Sequence, residues 1–346
     1  MTLSTTLRAL PYLIPVLITL VFVATAATYL VGMAMGIIFI IALARKSIGQ
    51  FSVPEVVAEY GFFHHSRLMR YLKTTSGIFF VGFNGWILVF LTQHALPVWA
   101  LMVFVYSVII INSNFAISLA HDLMHSTRRV DRLLSTVLLL QNGFFYLEAD
   151  HVYIHHRHVG TPDDPATAWV GEGIYAYFWR SIGARFRMIF FRGTIFPRKR
   201  ERRIIRGNVA RLLGCIAYPT GTFLLGWQVG VCVLAQFVLV TLIYESVTYI
   251  QHYGLQRELN PAGKPEAVQL HHAWNCYYRT STWMHYMMPI HSIHHLREER
   301  LDNIRDFAGL SMPLPFASML VRALVPARWF RLMDAKVPCY SSPQEV

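Results

Sequence analysis

Sixteen histidines occur in this 346-residue chain, and thirteen of them fall in two windows, 121–158 and 252–295. Nine stand at spacings that aim imidazoles at a common point: H-D-L-M-H (His121, His125), H-V-Y-I-H-H (His151, His155, His156), His252 in Y-I-Q-H-Y-G, and H-S-I-H-H (His291, His294, His295). On a helix, residues i, i+3 and i+4 share a face, so each cluster presents two or three ring nitrogens in one direction. Neutral imidazole suits zinc, copper, iron and nickel, whereas magnesium and calcium prefer oxygen. Nine nitrogens exceed the capacity of one ion. Four or five per metal leave positions open on two redox ions, while a structural zinc is saturated by four. Ligand number therefore favours a two-metal redox site, although affinity by itself leaves zinc and copper open.

Metal-bound imidazoles need acceptors for their other ring nitrogen. Asp122, Glu148, Asp150 and Glu245 are placed for this, against the plainer reading that they are ordinary helix-end or interfacial polarity. Asp163 and Asp164 follow in a turn-rich loop with Gly160, Pro162 and Pro165. The other histidines (His64, His65, His94, His158, His271, His272, His285) read first as core or surface residues. His271 and His272, in H-H-A-W-N, are the strongest exceptions, as residues behind the ligands or on an electron path.

The elements that must position these histidines are membrane helices. Hydrophobic residues make up 54% of the chain and charged residues 14%. Three stretches carry no charge at all, Leu10–Ala44, Thr74–Ala120 and Leu212–Tyr244, and a spanning helix needs only about 20 apolar residues. Divided at Gly32/Gly36, Pro97 and Gln228, they predict six spans near 10–30, 32–45, 74–93, 97–120, 209–227 and 229–250. Apart from Arg8, every Lys and Arg lies in 45–73, 121–211 or 251–346. Six spans put those segments on one side, the cytoplasmic one by the positive-inside rule, with both termini. The expected fold is thus an all-α integral membrane protein, one domain over 1–346, whose cytoplasmic cap (121–208 and 251–346) holds the di-metal site. Bacterial inner membrane is the expected location. This topology absorbs the formal net charge of +12, which would otherwise suggest nucleic acid, an unsuitable partner for such apolar runs.

The N-terminal apolar run is too long for a signal peptide. Cys215, Cys232, Cys276 and Cys339 include no C-x-x-C pair and form neither a disulfide framework nor an iron-sulfur site. Leu133–Leu147 reads as a buried or re-entrant segment, Tyr175–Phe196 as an interfacial amphipathic helix, and Pro313 and Pro315 as the start of a last apolar helix through Leu324. Phe80, Phe83, Trp86 and Phe90 could line an alkyl-chain cavity, but lipid-facing or helix-packing roles are the simpler expectation.

The ordered series H-D-L-M-H, H-V-Y-I-H-H-R-H-V-G-T-P-D-D-P-A-T-A, Y-I-Q-H-Y-G-L, H-H-A-W-N and H-S-I-H-H resembles that of the membrane-bound alkane hydroxylases and the related xylene monooxygenase hydroxylase component. It runs from His121 to His295, about half the chain. The wider superfamily includes fatty acyl desaturases, which typically have a two-residue spacer in the second box; here three residues separate His151 from His155, tilting towards hydroxylation. Asp122 and Asp150 stand where the family commonly has Glu, and Ile293 where it often has Asp. The resemblance implies that the nine box histidines bind two irons. Dioxygen, two electrons and two protons then hydroxylate an unactivated C–H of a hydrophobic substrate. It also implies a soluble electron carrier, rubredoxin or ferredoxin, served by an NAD(P)H reductase. The run Arg198, Lys199, Arg200, Arg202, Arg203 and Arg206 would attract an acidic carrier, although positive-inside topology and phospholipid contact account for most of it.

Within oxidative chemistry the rival is a di-iron fatty acid decarboxylase or desaturase, which would want a cation for the substrate carboxylate; Arg157 and Arg279 are available. A metal transporter should carry ionisable ligands inside its spans. A zinc hydrolase needs about three histidines and leaves six without a role.

Overall fold

The structure, a computed structural model, describes residues 3–28, 48–191, 198–296 and 309–338, without the side chains of 3–4, 189–191 and 198–206. The expected span 32–45 and its Gly32/Gly36 turn lie outside the described residues. Those that are described form helices and four isolated β-bridges, with no strand. In chain order the main elements are α1 (Thr5–Ala26), α2 (Val53–His65), α3 (Arg67–Gln93), α4 (Val98–Met124), α5 (Arg129–Gln141), α6 (Ile174–Phe191), α7 (Arg198–Thr222), α8 (Trp227–His252), α9 (His291–His295), α10 (Phe316–Ala323) and α11 (Pro326–Met333).

Four of them, α1, α3, α4 and α8, are long and apolar enough to cross a membrane. Residues 209–227 are helical to Thr222, but α7 is not among the four. At 27 and 26 residues, α4 and α8 are roughly 40 Å long, against about 30 Å of hydrocarbon. Helices of that length exceed the apolar layer, and the C-terminal ends of these two carry His121 and His252, with His125 at the cap of α4.

Proline starts the helices where its missing N–H costs nothing: Pro97 immediately precedes α4, and Pro54 opens α2 beside a capping box in which Ser52 N donates to Glu55 Oε2 at 2.8 Å. The 3-10 turn Phe223–Leu225 and Gly226, at φ +140, reverse the chain into α8. Gln228, expected as a simple divider, instead ties this turn to the α3–α4 connection. Its Oε1 accepts from Leu96 N (3.0 Å) and its Nε2 donates to Leu96 O (2.7 Å).

Packing is the role of the aromatics on α3. Phe80, Phe83 and Phe90 are buried. Phe22 of α1, Trp86 of α3 and Phe104 of α4 join them in a chain of ring contacts, with Phe90 and Phe104 stacked at 5.2 Å. Deeper in the bundle, Gln236 Nε2 donates to Asn84 Oδ1 and Asn142 Oδ1 (both 2.9 Å), and Asn84 Nδ2 to Asn112 Oδ1 (3.0 Å). Buried amides of this kind fix how apolar helices meet.

Leu133–Leu147 resolves into most of α5 and a turn at Gly143, φ +85. Within the expected 175–196 helix, α6 ends at Phe191 and buries a stripe of Ile174, Tyr177, Ser181 and Arg185 while exposing Trp179. Pro315 does start a helix, α10, and α11 follows it. Trp329 of α11 packs on Tyr249 and Tyr253 at 5.3 Å each, so the C-terminal helices close over the end of α8.

Candidate metal centre

All nine box histidines converge, in two groups. The first comprises His121, His125, His151 and His294, and the second His155, His252, His291 and His295; within each, the ligand atoms lie within 4.8 Å of one another. His156 joins the first group, its Nε2 3.0 Å from His151 Nε2 and 2.9 Å from His294 Nε2. His121 and His151 Nε2 are 2.8 Å apart. In the second group His291 Nε2 is 3.0 Å from His252 Nε2 and 2.9 Å from His295 Nε2.

Local geometry explains the division. Residues 151–155 form a π-turn rather than an α-turn, a wider coil that recurs at functional sites. It brings His151 and His156, five apart, onto one face and turns His155 towards the other group. On the short helix α9, His291 and His295, four apart, reach the second group, while His294 reaches the first. Each group therefore combines the end of one long helix, α4 or α8, with contributions from both boxes.

The donor set fits metal. Three other ring nitrogens lie within 3.1 Å of His151 Nε2, and a neutral imidazole has one proton or one lone pair at that atom. Hydrogen bonding satisfies only part of such a cluster. A shared cation satisfies all of it: two nitrogens about 2.1 Å from one ion, at right angles, lie about 3 Å apart. Burial, reinforced by neighbouring imidazoles, holds His151, His291, His294 and His295 well below the usual imidazole range, and burial near the Arg185 guanidinium takes His155 down to about 3. The rings are therefore neutral, as ligands must be. The second group is fully buried, while His125, His156 and His294 line a polar cleft of about 470 Å³ that also meets Arg70, Lys73 and Asp122.

Support comes from acids other than those first singled out. Asp122 pairs with Lys73 (3.0 Å) and His64 (3.6 Å), and Glu148 with Arg211 (2.6 Å). Asp150 and Glu245 share one buried cation: Arg185 Nε donates to Asp150 Oδ2 (2.8 Å) and its Nη1 to Glu245 Oε2. Tyr146 and Ser181 hydroxyls also donate to Glu245, each at 3.1 Å. Among the described residues the carboxylate that meets a box imidazole is Asp164, whose Oδ2 lies 2.9 Å from His155 Nδ1. This contact fixes His155 to ligate through Nε2. In sequence Asp164 was one of two adjacent loop acids, with no signal to separate it from Asp163. Arg185 looked like one more arginine on an amphipathic helix.

The H-H-A-W-N segment is a brace. Trp274 donates from its backbone N to Gln251 O and from its indole Nε1 to Tyr253 O (2.9 Å each), holding the residues on either side of His252. Asn275 Oδ1 accepts from Ser292 N (2.9 Å) and Oγ (3.1 Å), anchoring the third box. A third histidine group, Glu266, His271 and His272, has comparable spacing. There the Gln269 amide donates to His272 Nδ1 (2.9 Å), leaving the ring proton on Nε2, which faces Glu266 at 3.2 Å. His272 is a hydrogen-bond donor at that atom, not a ligand.

The described residues form an apolar helical bundle with four membrane-span candidates, and two convergent imidazole groups that could each hold a metal ion sit at the ends of its long helices, which defines a histidine-rich helical class of protein. Residues 95–301 match the fatty acid desaturase family model, and the chain belongs to that family. Curated relatives include an alkane 1-monooxygenase of Ectopseudomonas oleovorans, 31% identical over 232 residues, 65% of this chain and 58% of that protein. An alkane 1-monooxygenase of Acinetobacter baylyi is 27% identical over 231 residues, 65% of this chain and 57% of that protein. The xylene/toluene monooxygenase hydroxylase component of Pseudomonas putida is 28% identical over 225 residues, 62% of this chain and 58% of that protein. The chain thus spans less than two thirds of the length of the relatives it matches.

Proposed function

We propose that this chain is a membrane di-iron monooxygenase that hydroxylates a terminal or benzylic methyl group of a hydrophobic alkane or alkyl-aromatic. The observation that carries it is the pair of all-nitrogen groups at the end of apolar helices, on a chain similar to alkane and xylene monooxygenases. His121, His125, His151, His156 and His294 would hold one iron and His155, His252, His291 and His295 the other. When bound, the irons supply dioxygen activation. The protein positions and shields: Asp164 sets the His155 tautomer, Trp274 and Asn275 hold His252 and the third box, and burial of the second group excludes water, which strengthens every polar interaction there.

The site lies at the inner edge of six spans, beneath a cytoplasmic cap of 121–208 and 251–346, in a bacterial inner membrane. An apolar substrate arrives from lipid. Electrons come from a rubredoxin or ferredoxin and its NAD(P)H reductase. The decarboxylase and desaturase reading is weakened because Arg279, one of its two cations, is held by Glu55 (2.5 Å) and by Gln50 O (3.3 Å).

Elemental analysis of purified protein from iron-replete cells, joined to product analysis in cells fed an alkane, toluene and a fatty acid, tests the reading. About two irons per chain and alcohols carrying ¹⁸O from labelled dioxygen are expected. Zinc without iron, or alkene from the fatty acid with no alcohol from either hydrocarbon, would overturn it.

A further inference from the structure

A large cleft and a small void both touch the imidazoles, and they differ in kind. The large cleft is polar and meets first-group histidines, His125, His156 and His294. A far smaller void, about 10 Å³, touches both groups through His121, His151, His155 and His291. Its remaining wall is Tyr244, Val247, Thr248, Gln251 and Met288. Four of those five residues belong to α8, a membrane-span candidate, so this is the face of the centre that an apolar molecule can approach along a helix.

As it stands the void holds one water at most, too little for a methyl group with its chain behind it. Some part of the wall must move, and the contacts of its residues single out one side chain. Tyr244 packs its ring on Phe144 at 5.3 Å, Thr248 Oγ1 donates to Tyr244 O at 3.1 Å, and Gln251 Nε2 donates to Met288 O at 3.2 Å. Val247 is β-branched and stiff at χ1. Met288 has an unbranched, three-torsion side chain that readily fills and vacates irregular space. Its backbone is fixed: Tyr286 and Met287 before it both sit at positive φ (49 and 65), and Met288 N donates to His285 O at 3.0 Å. Two consecutive left-handed non-glycine residues are a conformation kept only where the surroundings enforce it, typically at functional sites.

We propose that the Met288 side chain is the gate of the substrate pocket and sets which hydrocarbon shapes reach the metals, with Val247 as the opposing wall. This rests on the monooxygenase reading above.

The test uses the full chain with its electron supply, comparing wild type, Met288→Ala and Met288→Phe on n-octane and on p-xylene as a bulkier methyl donor. One methylene of pocket shape is worth about 10-fold or more in discrimination. Met288→Ala is therefore expected to raise the kcat/KM ratio of p-xylene over octane at least about 10-fold, chiefly through KM, and Met288→Phe to lower it by a similar factor, at wild-type iron content. Retention of radiolabelled octane by the solubilised protein gives a second readout independent of turnover, lost in Met288→Phe and kept in Met288→Ala. If Met288→Ala fails to load iron, Val247→Ala and Met288→Leu carry the same comparison. Unchanged substrate ratios and octane retention in iron-loaded variants would overturn the gate. Octane retention that depends on residue 288, without oxygenated product, would uphold the gate and sink the monooxygenase reading.

Discussion

Replacing Arg185 by Met removes the one guanidinium shared by Asp150 and Glu245, all three being almost completely buried. Removing one partner of a buried ion pair costs about 3–5 kcal/mol, because the other charge is left unpaired. Two charges are orphaned here, but the loss has a ceiling. At pH 7 an orphaned carboxylate can take up a proton instead, at about 1.36 kcal/mol for each of roughly three pH units above its unfolded value, or about 4 kcal/mol. Asp150 is already part of the way there: burial pushes it up to about 6 even with Arg185 beside it. Protonating Asp150 at pH 7 then adds only about one pH unit, about 1.4 kcal/mol, so that with the second carboxylate the expected loss is about 3–5 kcal/mol. At about 2 °C per kcal/mol for a chain of this length, the thermal midpoint falls by roughly 6–10 °C. The pH dependence has a definite sign. An acid whose folded value is raised favours the fold below its unfolded value, near 4, and that benefit is lost as pH rises through the folded value. The gap between Arg185→Met and wild type is thus largest at neutral pH and narrows on acidification by up to about 1.4 kcal/mol per pH unit per carboxylate, Asp150 contributing only above its wild-type value of about 6. Tryptophan fluorescence melts of the solubilised, metal-free proteins between pH 5 and 8 measure this. Adding Asp150→Asn and Glu245→Gln should recover most of the loss. A wild-type midpoint for Arg185→Met, or a gap independent of pH, would refute the argument that this cation holds the second box against α8.

Asp164→Asn keeps the shape but weakens the acceptor at His155 Nδ1, and losses of about 10–100-fold in metal affinity are expected from such changes; competition with a chelator followed by metal analysis reads it, and unchanged affinity would remove Asp164 from the site. The metal-free protein should lose stability in acid. Burial lowers His155 to about 3, so its contribution is complete above about pH 6.5 and declines below, by about 2 kcal/mol at pH 5; a metal-free midpoint that rises between pH 7 and 5 contradicts this. Gly230→Ala places a Cβ 2.3 Å from the Phe223 ring, an overlap that should cost about 1–3 kcal/mol; a melt unchanged from wild type would mean that the turn into α8 yields freely.

The histidine centre was legible because ligand spacing is local: each box is a few residues long and lies on one element. Four of the six expected spans were legible for the same reason, since a stretch such as Thr74–Ala120 without a charge has few other uses. What escaped depends on residues far apart. The π-turns at Asn112–Ala116 and His151–His155 carry no compositional mark, because an i→i+5 pattern is selected by what the coil packs against. Arg185 is followed in sequence by Phe186, Arg187 and Met188, the mixed pattern of an amphipathic helix; its partners stand 35 and 60 residues away. Gln228 sat where a span boundary was expected and gave no hint of its bond to Leu96, 132 residues earlier.

The two imidazole groups also differ in when the ribosome completes them. His121, His125, His151 and His156 have all been synthesised by residue 156, so a nascent chain with only its first two boxes already possesses four nitrogens of one set. The other set holds only His155 and His252 until the final box is translated. Chains that stall between the second and third boxes would therefore be half-sites, able to capture one ion but unable to build the pair.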